Sequence, residues 1–209
     1  MNLVVAIDGP AAAGKGTLAR RLAAALGLAY LDTGLLYRAV GRRVLDAKHV
    51  PDDPVAAEHA ALALTPADLA RDDLRGPDAD RAASAVAAIP GVRVALLAFQ
   101  RRVAGGGAVL DGRDIGTVVV PDAPVKLFVT AAPSVRARRR WLELQGRGDD
   151  TPLAAVEAAL LARDAQDAAR ATAPLRAAPD AIVLDTTALD ADAAFARALE
   201  IVRAAGGSA

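Results

Sequence analysis

"IDGPAAAGKGTLA", residues 7–19, is the stretch on which the reading of the whole chain turns. A short apolar run, Leu3 to Ile7, leads into it. An alanine-rich helical pattern of about Lys15 to Leu26 leads out and stops at Gly27, a C-terminal capping glycine. Gly9, Gly14 and Lys15 fit the spacing G-x-x-x-x-G-K, in the strand, turn and helix setting which that spacing requires. Glycines there let backbone N–H groups curl around a polyphosphate, and the helix start adds unsatisfied amides and the positive end of its dipole. Lys15 contributes a compact charge on a flexible stem, where arginine would impose a planar fork. Lys48 and Lys126 are the only other lysines, so a lysine at this point is informative. The residues Gly9, Pro10, Ala11, Ala12, Ala13, Gly14, Lys15, Gly16 and Thr17 are therefore the candidate nucleotide-phosphate site. Position 16 departs from the commoner pattern: it is glycine, and the hydroxyl comes one residue later. Thr17 is left with three candidate partners, namely phosphate, a metal ion or metal-bound water.

Outward from this loop, the runs Ala29–Leu31, Ala108–Leu110, Val125–Val129 and Ile182–Leu184 alternate with long helical stretches. That alternation predicts an α/β protein with a parallel sheet. A length of 209 residues suits a single domain, residues 1–209, with a substantial core. A second helix is expected from about Leu35 to Ala47. Residues 51–77 read as an insertion beside the sheet, with prolines, paired aspartates and no strand pattern. Two helices follow, broken at Ile89–Gly91, and an arginine-dense helix opens at Pro133 and Ser134. The break "QGRGDDTP", residues 145–152, is a candidate mobile flap, and the terminal "GGSA" is expected to fray.

Lys+Arg and Asp+Glu are both 25, so no global field gathers nucleic acid or an anionic membrane, and any anion site must be local. The absence of cysteine excludes a disulfide framework and thiolate chemistry. No basic region and apolar segment of the secretory kind opens the chain, and no uncharged apolar run approaches the roughly 20 residues of a spanning helix. The expected location is the cytoplasm.

Four segments together, "GPAAAGKGT" (9–17), "DTGLLYR" (32–38), "LDGRDIGTVVVPDAPVKLFV" (110–129) and "VLDTT" (183–187), resemble bacterial cytidylate kinases of the nucleoside monophosphate kinase group. The resemblance runs in order over nearly the whole chain. It implies a P-loop NTPase-like three-layer sandwich with a five-stranded parallel sheet, a short acceptor-side insertion and a lid. It also implies ATP-dependent phosphorylation of CMP and dCMP to CDP and dCDP in pyrimidine nucleotide metabolism, with Mg²⁺, by a monomer. Kinases for UMP or AMP, and a nucleotide-binding regulator without turnover, are the competing readings. "DGRDIG" in place of the adenylate-kinase "DGFPR" favours cytidylate, and the full set of acceptor arginines favours an enzyme.

Phosphoryl transfer between two nucleotides must hold several negative charges together, so the chemistry calls for positioning and positive charge more than proton transfer. No general base is needed, and His49 and His59 read as surface residues. By resemblance, Lys15 and Arg113 are catalytic, and the acceptor CMP is bound by Thr33, Arg38, Ser84, Arg93, Arg113, Asp114, Arg163, Asp167 and Arg170. Ser84 and Arg93 match positions that recognise cytosine; Asp114 matches one near base or ribose. Arg163, Asp167 and Arg170 share a helical face, which alone reads more readily as a solvated ion-pair face. The family pattern turns it into a site in which Asp167 holds ribose and Arg170 phosphate, with Gln166 where the family has an arginine. Asp111 serves either metal-bound water or an arginine. Arg136, Arg139 and Arg140 also share a face and, by resemblance, belong to a lid over the ATP phosphates; which of them stabilises the transition state stays open. The strandless 51–77 stretch looks shorter than in longer family members and is expected to make the enzyme more tolerant of UMP.

Overall fold

The computed structural model describes residues 2–206. Three of the four residues read as a frayed tail, Gly207, Ser208 and Ala209, lie outside them, while Gly206 ends the last helix. By its internal contacts the chain forms two compact units, one made of residues up to Tyr30 and from Ala104 onward, the other of Leu31–Val103. The second unit is larger than the 51–77 insertion read from sequence.

The five expected strands all form: β1 (Val4–Asp8), β2 (Ala29–Asp32), β3 (Ala108–Asp111), β4 (Val125–Thr130) and β5 (Ile182–Asp185). The sheet order is β2-β3-β1-β4-β5. β1 pairs in parallel with both β3 and β4, and β4 with β5. Among the described residues the helices are α1 (Lys15–Leu26), α2 (Thr33–Asp46), α3 (Pro54–Leu62), α4 (Pro66–Leu69), α5 (Pro77–Val86), α6 (Pro90–Gly105), α7 (Pro133–Gln145), α8 (Leu153–Ala168) and α9 (Ala191–Gly206), with a π-helical turn at Ile115–Val119. The π turn had no signature in the sequence. Among the described residues no single helix is long and apolar enough to cross a membrane.

β1 is the central strand, and Val5, Ala6 and Ile7 are completely buried. Strands covered on both faces read as continuous apolar runs, as these do. Leu18 and Leu22 of α1 and Ile201 and Val202 of α9 pack onto them in one core. α1 ends as expected, with Gly27 in the left-handed region (φ 64°). A smaller cluster joins Ala11 of the loop after β1 to Ala137 and Leu144 of α7 and Val156 and Leu160 of α8. The Leu31–Val103 unit has its own core, built on Leu36, Val40 and Val44 of α2, Ala83 and Val86 of α5, and Val92 and Leu96 of α6. The segment 51–77 supplies α3, α4 and the first residue of α5 and contains no strand.

The turn out of β1 depends on Gly9. Its φ is 143°, and a Cβ there would lie 1.9 Å from the carbonyl oxygen of Val129 in β4. Gly9→Ala is expected to cost on the order of 3 kcal/mol, from left-handed strain plus overpacking, and to lower the melting temperature by about 10 °C. Thermal unfolding followed by circular dichroism checks this, and an unchanged melting temperature would refute the close approach.

Candidate active site

β1 delivers the chain into a loop that curls through three left-handed residues, Gly9, Ala12 (φ 59°) and Gly14 (φ 92°), before α1 begins at Lys15. Lys15 is buried, and its Nζ donates to the carbonyl oxygen of Pro10 at 2.8 Å. Burial, aided by the nearby Arg113 and Arg163 charges, pushes its pKa down to about 7 against the pull of Asp111 and Asp8. The lysine is thus held in a loop that favours its charged form only weakly. Thr17 is exposed. Gly16 leaves room for Asp111, whose Oδ2 would be 3.3 Å from a Cβ at that position.

Asp8 ends β1 and is buried. Its Oδ1 accepts from the Ile115 amide at 2.7 Å and its Oδ2 from the Gly116 amide at 2.8 Å. One carboxylate thereby holds the start of the π turn, directly after Arg113 and Asp114. Burial pushes the Asp8 pKa up to about 6, opposed by those two amides and by Lys15.

Asp167, in the last turn of α8, is 1% exposed and holds two arginines. Arg113 Nε donates to its Oδ2 at 3.0 Å, and Arg170, two residues beyond the end of α8, pairs with its Oδ1. Burial opposes the Arg113 charge, but Asp167 and Asp111 more than offset it. Both oxygens of Asp167 therefore serve to fix arginine forks, a geometry suited to bidentate contact with phosphate. Asp114 is buried as well, and Arg163 is half-buried one turn before Asp167.

The three α7 arginines, Arg136, Arg139 and Arg140, share a face yet go to different partners. Arg136 is buried. It donates from Nε to the carbonyl oxygen of Ala131 (3.0 Å) and from Nη1 to that of Ala11 in the phosphate loop (3.2 Å), and it pairs with Asp164 of α8 at 2.6 Å. Arg139 donates to the hydroxyl and carbonyl oxygens of Thr186 (3.0 and 2.7 Å) and to the Leu189 carbonyl. Arg140 pairs with Glu143, which also holds Arg147.

In the Leu31–Val103 unit, Asp32 caps α2 by accepting from the Leu35 amide at 3.1 Å, and Thr33 behind it is buried. Arg38, one turn further on, pairs with Asp80 of α5. Ser84, also on α5, is buried. So is Arg93, whose Nη1 donates to the Ala87 carbonyl oxygen at 3.2 Å and whose guanidinium lies 5.6 Å from the centre of the Tyr37 ring. His49 and His59 are exposed, as expected. Sequence reasoning missed Asp8, Asp80 and Asp164. Asp8 directly precedes the phosphate-loop motif, which is its one local signal.

A match to the cytidylate kinase family covers residues 5–204. The cytidylate kinase of Granulibacter bethesdensis is 64% identical over 204 residues, 97% of this chain and 98% of that protein. That of Acidiphilium cryptum is 62% identical over 201 residues, 96% of this chain and 95% of its own length. With relatives matched over almost their whole length, residues 51–77 are not a deletion relative to them. Among solved structures, TT1252 from Thermus thermophilus superposes with a TM-score of 0.53 at 22% identity, covering 100% of this chain and 99% of the other, a likeness of fold.

The Lys15 environment yields a pH dependence. A bound triphosphate restores the lysine's charge and raises its pKa, so binding takes up a proton, and affinity falls as pH rises above about 7. Calorimetric titration with ATP from neutral to alkaline pH is expected to show a loss of up to about tenfold per pH unit. Lys15→Met should remove that slope.

Proposed function

The chain belongs to the cytidylate kinase family, which phosphorylates CMP and dCMP with ATP as the donor, and from that premise we propose how its residues divide the work. The observation that carries the reading is the run of charges from buried Lys15 and Asp167 to half-buried Arg113 and Arg170 behind the C-terminal ends of the strands, where open α/β sheets take their ligands. The loop from Gly9 to Thr17 cradles the ATP phosphates on backbone amides, and Lys15 follows the transferring phosphoryl group. Arg113 and Arg170, oriented by Asp167, neutralise charge on the acceptor phosphate and the group in transit. The acceptor is already an oxyanion, so no side chain has to remove a proton.

Thr17 and Asp111 fit Mg²⁺. Both offer hard oxygen atoms, and the Gly16 gap brings the Asp111 carboxylate against the loop. Held there, the ion would supply positive charge that offsets the charge of the donor phosphates. Asp111 and Thr17 would hold it largely through its water shell, as suits an ion that dehydrates reluctantly. Arg136 keeps the phosphate loop, α7 and α8 in register through Ala11 and Asp164, which favours a shaping role for it. Arg140 and Arg147 share an exposed glutamate and are the arginines best able to move toward phosphate.

Thr33 and Arg38 bind the acceptor's phosphate end, Ser84 and Arg93 its cytosine edge, and Asp114 and Arg163 support base, ribose and phosphate. Buried polar groups of this kind discriminate strongly, because a base that leaves them unpaired forfeits their hydrogen bonds. We assign the enzyme to pyrimidine nucleotide metabolism in the cytoplasm, as a monomer without nucleic-acid or membrane partners, in keeping with a formal net charge of zero.

An ADP-release assay with ATP and Mg²⁺ is expected to rank CMP and dCMP orders of magnitude above UMP and AMP. Comparable use of UMP would overturn the roles of Ser84 and Arg93. Lys15→Ala should lower kcat by at least about 10³-fold with the fold intact. Arg170→Ala should raise the KM for CMP about 30-fold while leaving that for ATP nearly unchanged; equal effects on both would refute the acceptor assignment.

A further inference from the structure

Arg38 meets Asp80 in a particular way. Its Nε and Nη2 both donate to one oxygen, Asp80 Oδ1, at 3.1 and 3.0 Å. The carboxylate fills the side edge of the guanidinium and leaves the outer edge, Nη1 with Nη2, facing elsewhere. Nη1 lies against the first turn of α2, where a Cβ at Gly34 would be 3.1 Å from it. The same point lies 3.1 Å from Oδ1 of Asp32, the carboxylate that caps this turn, so the outer edge of the fork sits at the start of its own helix, where the dipole favours negative charge.

The backbone sets this pairing. α2 and α5 cross at Gly41, where a Cβ would come within 2.8 Å of the Ala82 Cβ and 3.0 Å of the Ala82 carbonyl carbon. Gly41 is three residues from Arg38 and Ala82 two from Asp80, so the close crossing delivers the carboxylate to the guanidinium. Asp80 also stands in the first turn of α5, where the helix dipole favours its charge independently of Arg38. Side-chain exposures of 19% and 17% keep the pair partly out of water, which makes its geometry more persistent than that of a surface ion pair.

We propose that Asp80 is a positioning residue for the acceptor: it grips the side edge of Arg38 and presents the outer edge to the phosphate of the nucleoside monophosphate. Asp80 touches no substrate and acts only through Arg38. The inference rests on the reading of Arg38 as an acceptor-phosphate ligand.

Steady-state kinetics on the full chain test it. Asp80→Ala is expected to raise the KM for CMP about tenfold, with kcat and the KM for ATP within about twofold and the melting temperature nearly unchanged. Asp80→Asn keeps an oxygen for Nε and Nη2 and should restore a KM close to that of the unsubstituted protein. In an Arg38→Ala background, Asp80→Ala should add nothing further. A CMP KM that is unchanged or lower in Asp80→Ala overturns the inference, and so does an equal loss in the Asn variant. If Arg38→Ala itself leaves CMP kinetics untouched, the role of Arg38 falls, and this inference with it. If Arg38→Ala raises the KM and Asp80→Ala does not, the inference alone fails.

Discussion

The carboxylate of Asp8, at the end of the central strand, accepts two backbone amides at the head of the turn that follows Arg113. From that contact the phosphate loop continues along the chain in one direction, while the arginine turn is fastened in the other. Ionised groups rarely enter a protein interior without partners, and Asp8 compensates its burial with two charge-assisted bonds. The turn it holds cannot satisfy those amides internally, because they are the first two of a helical segment and the opening amides of any helix lack an internal partner. The glycine loop after β1 and the turn after Arg113 are thus set relative to each other by one buried acid and the strand that carries it.

Around this anchor the sheet unit alternates sign: Asp8 and Asp111 near Lys15, Asp167 between Arg113 and Arg170. Asp167 keeps Arg113 and Arg170 oriented through direct contacts, and Asp8 and Asp111 act on Lys15 through their charge. Positive charge that is already oriented before substrate arrives needs little reorganisation at the moment of transfer, which is how electrostatic preorganisation lowers a barrier. Lys15 is the exception, because its burial outweighs the pull of its acidic neighbours.

Much of this was legible in the order of residues. The glycine loop after β1, the five strands and the glycine stop at Gly27 follow from local chemistry that needs no tertiary information, and the arginines were singled out by family motifs. The partners of those arginines were not legible. Asp80, Asp164 and Asp8 are ordinary aspartates in sequence, and their roles arise only when a helix crossing at Gly41, the packing of α7 beside α8 and a π turn bring them to a guanidinium or an amide. The common face of Arg136, Arg139 and Arg140 was correct as a spacing, yet their partners diverge because each side chain is long enough to leave that face. Asp167 read as a ribose ligand by resemblance; the structure adds that it clamps two arginines, one from a loop 54 residues away.

The kinetics of Asp8→Asn test the central claim most directly. Asparagine offers one acceptor and turns an N–H₂ donor toward a backbone amide that needs an acceptor, so the turn bearing Arg113 loses its anchor. The account predicts a folded protein whose kcat for CMP phosphorylation at neutral pH falls about 100-fold, with hydrogen exchange at Ile115 and Gly116 accelerated. An Asp8→Asn enzyme with unchanged kcat would contradict it, because the arginine turn would then keep its place without the buried charge.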